Sequence, residues 1–296
     1  MPLEPIHCLM RRCHEGGYAI GYFESWNLES LQGVLDAAEQ TRSPIIIGFN
    51  GEFLSRGDRL AAERLALYGA MGNAAAESAS VPCGLIFNEC PNDSWTVDAA
   101  AAGFNLVMPA DPHASYDDYV RRVRQIVRHC HERQVAVEAE IGELPSAASG
   151  CVEGGGQMTD PALAEQFVKE TGVDLLAVSV GNVHIHIGGE QDLDLDQLAA
   201  IRARVPVPLV LHGGTGITAE SVKEAIPLGV AKVNYGTYLK QSYLKAVRAA
   251  FSHDVPNPHE MLGLGGPRDV LVAGRLAVRD AVLERIDLLG CCGRAS

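Results

Sequence analysis

Residues Pro208–Ile217 read PLVLHGGTGI, an apolar run that ends on His212 and breaks into a loop at Gly213, Gly214 and Thr215. The run is short and does not alternate polar with apolar, as expected of a strand covered on both faces. Seven other runs share the pattern: AIGYF (Ala19–Phe23), PIIIGF (Pro44–Phe49), CGLIF (Cys83–Phe87), NLVM (Asn105–Met108), VAVEA (Val135–Ala139), LLAVSV (Leu175–Val180) and AKVN (Ala231–Asn234). Between them lie stretches of helical spacing. LESLQGVLDAAEQ follows Asn27, and YDDYVRRVRQIVRHCHERQ carries acids at its start and bases towards its end, the sense that a helix dipole favours. TDPALAEQFVKETG offers Thr159 or Asp160 as N-cap, and TAESVKEAIPLG repeats the plan from Thr218. Strand and helix in alternation give a parallel sheet with crossover helices. Eight such units in 296 residues predict an α/β fold, a single (β/α)8 TIM barrel over residues 1–296 with a C-terminal helical extension. The alternative is an open doubly wound sheet.

The bulk numbers narrow the partners. A net charge of −13 argues against nucleic acid and against anionic membrane, both of which need a basic face. A small anion is still admissible, because backbone N–H groups can bind one on an acidic protein. No run approaches the ~20 apolar residues of a membrane span. MPLEPIHCLMRRCHEGG has no apolar core of signal-peptide type, so a cytoplasmic chain is expected. The eight cysteines are dispersed without a CxxC, which points to reduced thiols. The small-residue stretch SAASGCVEGGGQ (Ser146–Gln157) reads as a mobile loop after the fifth strand.

In such a barrel the ligand site lies at the carboxyl ends of the strands. Those ends carry Glu24, then Asn50 and Glu52, then Asn88, Glu89 and Cys90, then Glu140, then His184 and His186, His212, and Asn234. Two histidines, His184 and His212, with a carboxylate on one rim suit a divalent ion such as Zn2+ and leave a position open for substrate oxygens. GGTG after the seventh strand and NYGT (Asn234–Thr237) after the eighth both run into helices, an arrangement suited to an anionic group.

Several of these stretches, taken in order, resemble the class II (zinc-dependent) fructose- and tagatose-bisphosphate aldolases. They are NLESLQGVLDAAEQTRSPIII, VEAEIGEL, TDPALAEQFVKETGVDLLAVSVGNVH, PLVLHGGTGI, KVNYGT and VLERIDLLGCCGRA. The resemblance implies a homodimeric or homotetrameric lyase that makes or breaks a C–C bond through a metal-bound enediolate. The substrate would be a small keto or polyhydroxy compound, phosphorylated in this family. On that pattern His184 and His212 match two metal ligands, Glu140 the carboxylate near the metal, and Glu153 the loop glutamate that moves a proton. Gly213, Gly214, Thr215, Asn234 and Thr237 match the phosphate-binding loops.

The chain also departs from the family. Where members carry D-H-G at the end of strand three, with an acid/base Asp and a third metal-binding His, this chain has Asn88-Glu89-Cys90. Glu89 can serve as an oxygen ligand, giving a metal set of Glu89, His184 and His212. Asn88 cannot exchange a proton near neutral pH, which passes that role to Glu24, Glu52 or Glu89, or changes the reaction. Ile185 and Gly188 stand where a glycine and a phosphate-binding lysine are usual, and Arg268 is the substitute for the basic C-terminal signature. Fewer cations imply a substrate with one phosphate or none. Two alternatives stay open: an isomerase or epimerase on the same scaffold, and a non-catalytic aldolase-like subunit.

Overall fold

The computed structural model describes residues 3–111, 113–142, 144, 156–183, 189–251 and 256–295. Eight parallel strands close in sequence order: β1 (Ile20–Ser25), β2 (Ile45–Asn50), β3 (Cys83–Cys90), β4 (Leu106–Pro109), β5 (Ala136–Ile141), β6 (Leu175–Val178), β7 (Leu209–Leu211) and β8 (Val230–Tyr235). β8 pairs back onto β1, so the barrel has no edge and the open-sheet alternative is excluded.

Helix α1 (Ile6–Gly16) precedes β1, α2 (Leu28–Thr41) follows it, and α3 (Gly51–Leu54) and α4 (Leu65–Ser78) follow β2. α5 (Asp93–Ala101), α6 (Tyr116–His131), α7 (Pro161–Thr171), α8 (Leu195–Arg202) and α9 (Ala219–Ala225) follow β3 to β7 in turn. After β8 come α10 (Thr237–Ala250), α11 (Pro258–Met261) and the C-terminal α12 (Val270–Leu289). Among the described residues no helix is long and apolar enough to cross a membrane.

The helices start where their caps place them. Asn27 and Ser30 form a reciprocal capping box on α2. Asp160, not Thr159, caps α7, with Pro161 in the first turn and Gly172 left-handed at the end. Thr159 has a different task. Its hydroxyl donates to the Ile141 carbonyl at 2.5 Å and accepts from Ser179 N at 2.8 Å, tying the end of β5 to that of β6.

The N-terminal segment, read in the sequence only for its lack of a signal-peptide core, is helix α1. Its Ile6 and Leu9 reach over the amino end of the barrel to Gly84 of β3, where a Cβ would lie 2.8 Å from Ile6 Cδ1. The opposite mouth is left for chemistry.

α12 packs against α2 and α10. Arg275 of α12 holds Asp36 of α2 through two hydrogen bonds of 2.6 and 2.7 Å. Beside them Gly33 lets the two backbones meet: a Cβ there would sit 2.5 Å from the Arg275 carbonyl oxygen. Gly33→Ala is therefore expected to lower stability by about 1–2 kcal/mol, overpacking outweighing the gain in helix propensity. Urea unfolding at equilibrium checks this, and an unchanged midpoint would show that the helices can part without cost.

Candidate active site

The polar side chains in the barrel follow the period of the strands. On β5, Glu138 and Glu140 lie two apart and share the inward face, as do Lys232 and Asn234 on β8. Glu138 and Lys232 belong to strands that are not neighbours, so they can meet only across the interior. They do meet: Lys232 Nζ lies 2.8 Å from Glu138 Oε2 and donates to Oε1 at 3.1 Å. Both side chains are fully buried. Lys232 also donates to Asn234 Oδ1 at 2.5 Å and stands 5.2 Å from the ring centroid of Tyr22.

This ion pair has effects in both directions. Burial alone would raise the Glu138 carboxyl, but the charge of Lys232 and the hydrogen bond from His212 hold it below the usual carboxylate value. Burial pulls the Lys232 ammonium below its ordinary value against the attraction of Glu138.

His212 follows β7 directly and is 1% exposed. Its Nε2 lies 2.9 Å from Glu138 Oε1. A carboxylate there accepts the Nε2 proton and leaves Nδ1 to face the opposite way. Nδ1 points to two more carboxylates, Glu89 Oε1 at 2.9 Å and Glu140 Oε2 at 3.4 Å. The Glu89 contact is close but lacks hydrogen-bond alignment, and Nδ1 has no hydrogen-bond partner among the described residues. Burial opposes charge on this imidazole. The bond to Glu138 and the close carboxylates of Glu89 and Glu140 outweigh it, pushing the group up to about 10. From behind, Asn182 Nδ2 donates to the His212 carbonyl at 3.0 Å. Gly213, left-handed at φ 68°, brings the chain so close to Val183 that a Cβ would lie 2.1 Å from its carbonyl oxygen.

Glu89 should by alternation point away from the barrel, since Asn88 before it lines the interior. It turns inward because β3 slips its register against β4 between Phe87 and Cys90, and Glu89 adopts a left-handed φ of 52°. A bulge with a non-glycine residue in that region costs of order 1 kcal/mol and re-aims a side chain. The re-aimed carboxylate is held by Asn50, whose Nδ2 donates to Oε2 at 2.8 Å. Asn50 cannot flip, because its Oδ1 already accepts from Phe53 N at the start of α3.

Cys90 is packing. It is fully buried against Gly51, and burial raises its thiol above the ordinary value.

The rim therefore assembles Asn88, Glu89, Glu140, His212, Gly213, Thr215, Asn234 and Thr237 of the expected residues. Gly213, Thr215, Asn88, Glu89, Asn234 and Thr237 line one cleft of about 290 Å3, which also takes in Tyr22, Glu24, Asn50, Glu52 and Phe53. Gly214 lies behind its wall, where a Cβ would lie 2.7 Å from Val233 Cγ1. The expected positions His184, His186 and Glu153 lie outside the described residues, as do Ile185 and Gly188. Arg268 is not at the cleft: it pairs with Glu260 at 3.2 Å.

The donors suit a divalent ion in kind. The Nε2 proton of His212 is fixed by a carboxylate, the usual support of a metal-bound imidazole, and an ion at Nδ1 would displace the proton that the surrounding carboxylates favour there. Two ligands of one tetrahedral ion lie ~3.4 Å apart, a spacing that the His212–Glu140 pair shows at 3.4 Å and that the 2.9 Å His212–Glu89 contact would have to open to reach. Among the described residues no group of three His, Cys, Asp or Glu side chains is set to hold an ion. The set expected from the sequence needs His184 to complete it. Sequence reading missed Glu138, Lys232 and Asn182.

The chain is similar to known proteins over its whole length. The family model "Fructose-bisphosphate aldolase class-II" matches residues 4–294. The chain is 33% identical to the fructose-bisphosphate aldolase of Geobacillus stearothermophilus over 296 residues, covering 100% of each. It is 30% identical to that of Staphylococcus epidermidis over 295 residues, again with 100% of each covered. Among solved structures, the YdjI aldolase from Escherichia coli K12 superposes with a TM-score of 0.80 at 30% identity, over 100% of both chains. The fructose-bisphosphate aldolase of Campylobacter jejuni shares the fold alone, with a TM-score of 0.78 at 21% identity over 97% of this chain and 94% of that one.

Proposed function

The chain belongs to the class II fructose-bisphosphate aldolase family, and from that premise we propose that it is a metal-dependent aldehyde-lyase acting on a small keto or polyhydroxy substrate. The observation that carries this reading is the two-sided tethering of His212: Glu138 on Nε2, with Glu89 and Glu140 facing Nδ1. A structural histidine needs one partner, whereas this one gathers three carboxylates in a buried mouth.

His212 and Glu89 would hold the ion, with His184 as third ligand. When bound, a divalent metal supplies Lewis acidity towards a carbonyl oxygen. The remaining work falls to the chain. Glu138 fixes the imidazole tautomer, and Lys232 keeps Glu138 ionised. Glu140, at 22% side-chain exposure, is open enough to exchange a proton with substrate or water. Asn88 can orient a substrate hydroxyl by hydrogen bonding but moves no proton.

Metal analysis of protein prepared without chelator tests the reading first, with one divalent ion per chain as the expected result. Release of aldehyde from a panel of ketoses and ketose phosphates tests it second. Metal-free protein that cleaves nothing overturns it, and isomerised substrate without cleavage redirects it to an isomerase. Glu138→Gln keeps an acceptor for Nε2 but loses the charge behind it. This variant is expected to bind the metal about 10–100-fold more weakly, measured by chelator competition.

A further inference from the structure

The amino end of α10 is where the family resemblance locates an anion, and the chain has already filled it. Gly236 stands at the N-cap of this helix without a side-chain cap. The Glu24 carboxylate lies directly against it: a Cβ on Gly236 would sit 2.3 Å from Glu24 Oε2. Its other oxygen, Oε1, accepts from Lys240 Nζ at 2.5 Å. Lys240 is itself held over the Phe53 ring, 4.4 Å from the centroid. One amide of the first turn is engaged from another side, since Tyr238 N donates to Thr215 Oγ1 at 3.3 Å. A negative charge, its cation and a hydroxyl thus occupy the positive end of the helix dipole.

Besides Glu24 and Lys240, the charged side chains that line the cleft among the described residues are the carboxylates of Glu52 and Glu89, and its buried polar groups without partners are neutral. Asn234 Nδ2, Asn88 Oδ1 and the Tyr22 hydroxyl are all buried, and none has a hydrogen-bond partner among the described residues. One donor, one acceptor and one hydroxyl match alcohol oxygens, each of which can donate and accept. They do not match a dianion, which needs donors alone. A phosphate here would face Glu24 at close range in a half-buried site, where like charges repel strongly.

We infer that Glu24 is a specificity-determining residue: it takes the place of a substrate phosphate at the α10 terminus, so the substrate end bound there is an uncharged hydroxymethyl or polyol group. This inference rests on the cleft being the substrate site proposed above. It specifies the class of substrate as a ketose unphosphorylated at the end nearest β8.

The test is titration of inorganic phosphate into the purified protein as it stands, wild type against Glu24→Gln and Glu24→Ala, by calorimetry. Thermal unfolding confirms that each variant is folded. The expected result is weak binding by wild type and at least about tenfold tighter binding by both variants, since each removes the like charge and releases Lys240. Equal phosphate affinity in wild type and in both folded variants overturns the inference, as does tight binding by wild type. A variant phosphate gain in a protein that cleaves no ketose supports the anion block while removing the lyase reading, so the two failures are distinct. In the condensation direction, wild type is expected to use dihydroxyacetone in preference to its phosphate, and the reverse preference counts against Glu24.

Discussion

Lys232→Met is expected to destabilise the barrel by about 3–5 kcal/mol, the usual consequence of leaving one member of a buried ion pair uncompensated. Lys232 and Glu138 are both fully buried, and water cannot replace the lost partner. Three things are lost together: the cation beside Glu138, the bond to Asn234 Oδ1, and the force that keeps the carboxylate ionised next to His212. Urea unfolding of the single variant gives the loss. The double variant Lys232→Met, Glu138→Gln separates charge from packing, because a glutamine can still accept from His212 Nε2 while bearing no charge. It is expected to recover more than half of the loss. A single variant costing under about 1 kcal/mol would mean that the pair is not the charged, dry contact the geometry describes.

Such a pair is poor value as stabilisation, since an apolar replacement of both members is often neutral or better. Its position explains it better. Lys232 sets the charge of Glu138, Glu138 sets the tautomer of His212, and His212 presents Nδ1 to Glu89 and Glu140. Each step is a contact of 2.8–3.4 Å between buried or half-buried groups. The chain of contacts carries order from the centre of the barrel to its mouth.

How much of this was legible before folding can be judged residue by residue. The eight runs were readable because a strand covered on both faces must be apolar throughout, and each run lies within or overlaps a strand of the barrel. Strand ends gave the rim, since the carboxyl end of a barrel strand is a place fixed by topology. Glu138 and Lys232 were overlooked although a signal existed. VAVEA and AKVN each place a single charge inside a run that must be buried, and two opposite charges so placed are obliged to find each other. Glu89 was legible as a candidate, but the bulge that points it inward was not, because alternation predicts the opposite face. Nothing in GYFES or NYGT suggested that Glu24 would lie on Gly236, a contact between β1 and the start of α10 that only barrel closure creates. Asn182 likewise acts through a carbonyl thirty residues away in sequence.

Asn88→Asp is expected to raise the rate of C–C cleavage by about 10²–10⁴-fold, the range that a positioned general acid or base contributes. The side chain is 2% exposed and lines the cleft with Glu89, Asn234 and Tyr22. Its Oδ1 has no hydrogen-bond partner among the described residues. A carboxyl of the same shape would enter the same space. Burial and the nearby carboxylates would raise its pKa towards neutrality, which is where a proton carrier works best. The measurement is kcat/KM for an unphosphorylated ketose, with metal content matched between variant and wild type. An unchanged rate at equal metal content would place the cleaved hydroxyl away from Asn88 and leave Glu140 as the proton carrier in both proteins. A gain has a particular value as evidence. Misfolding, lost metal and a disturbed loop all slow an enzyme, so a faster variant can arise only if the new carboxyl stands where the proton must move.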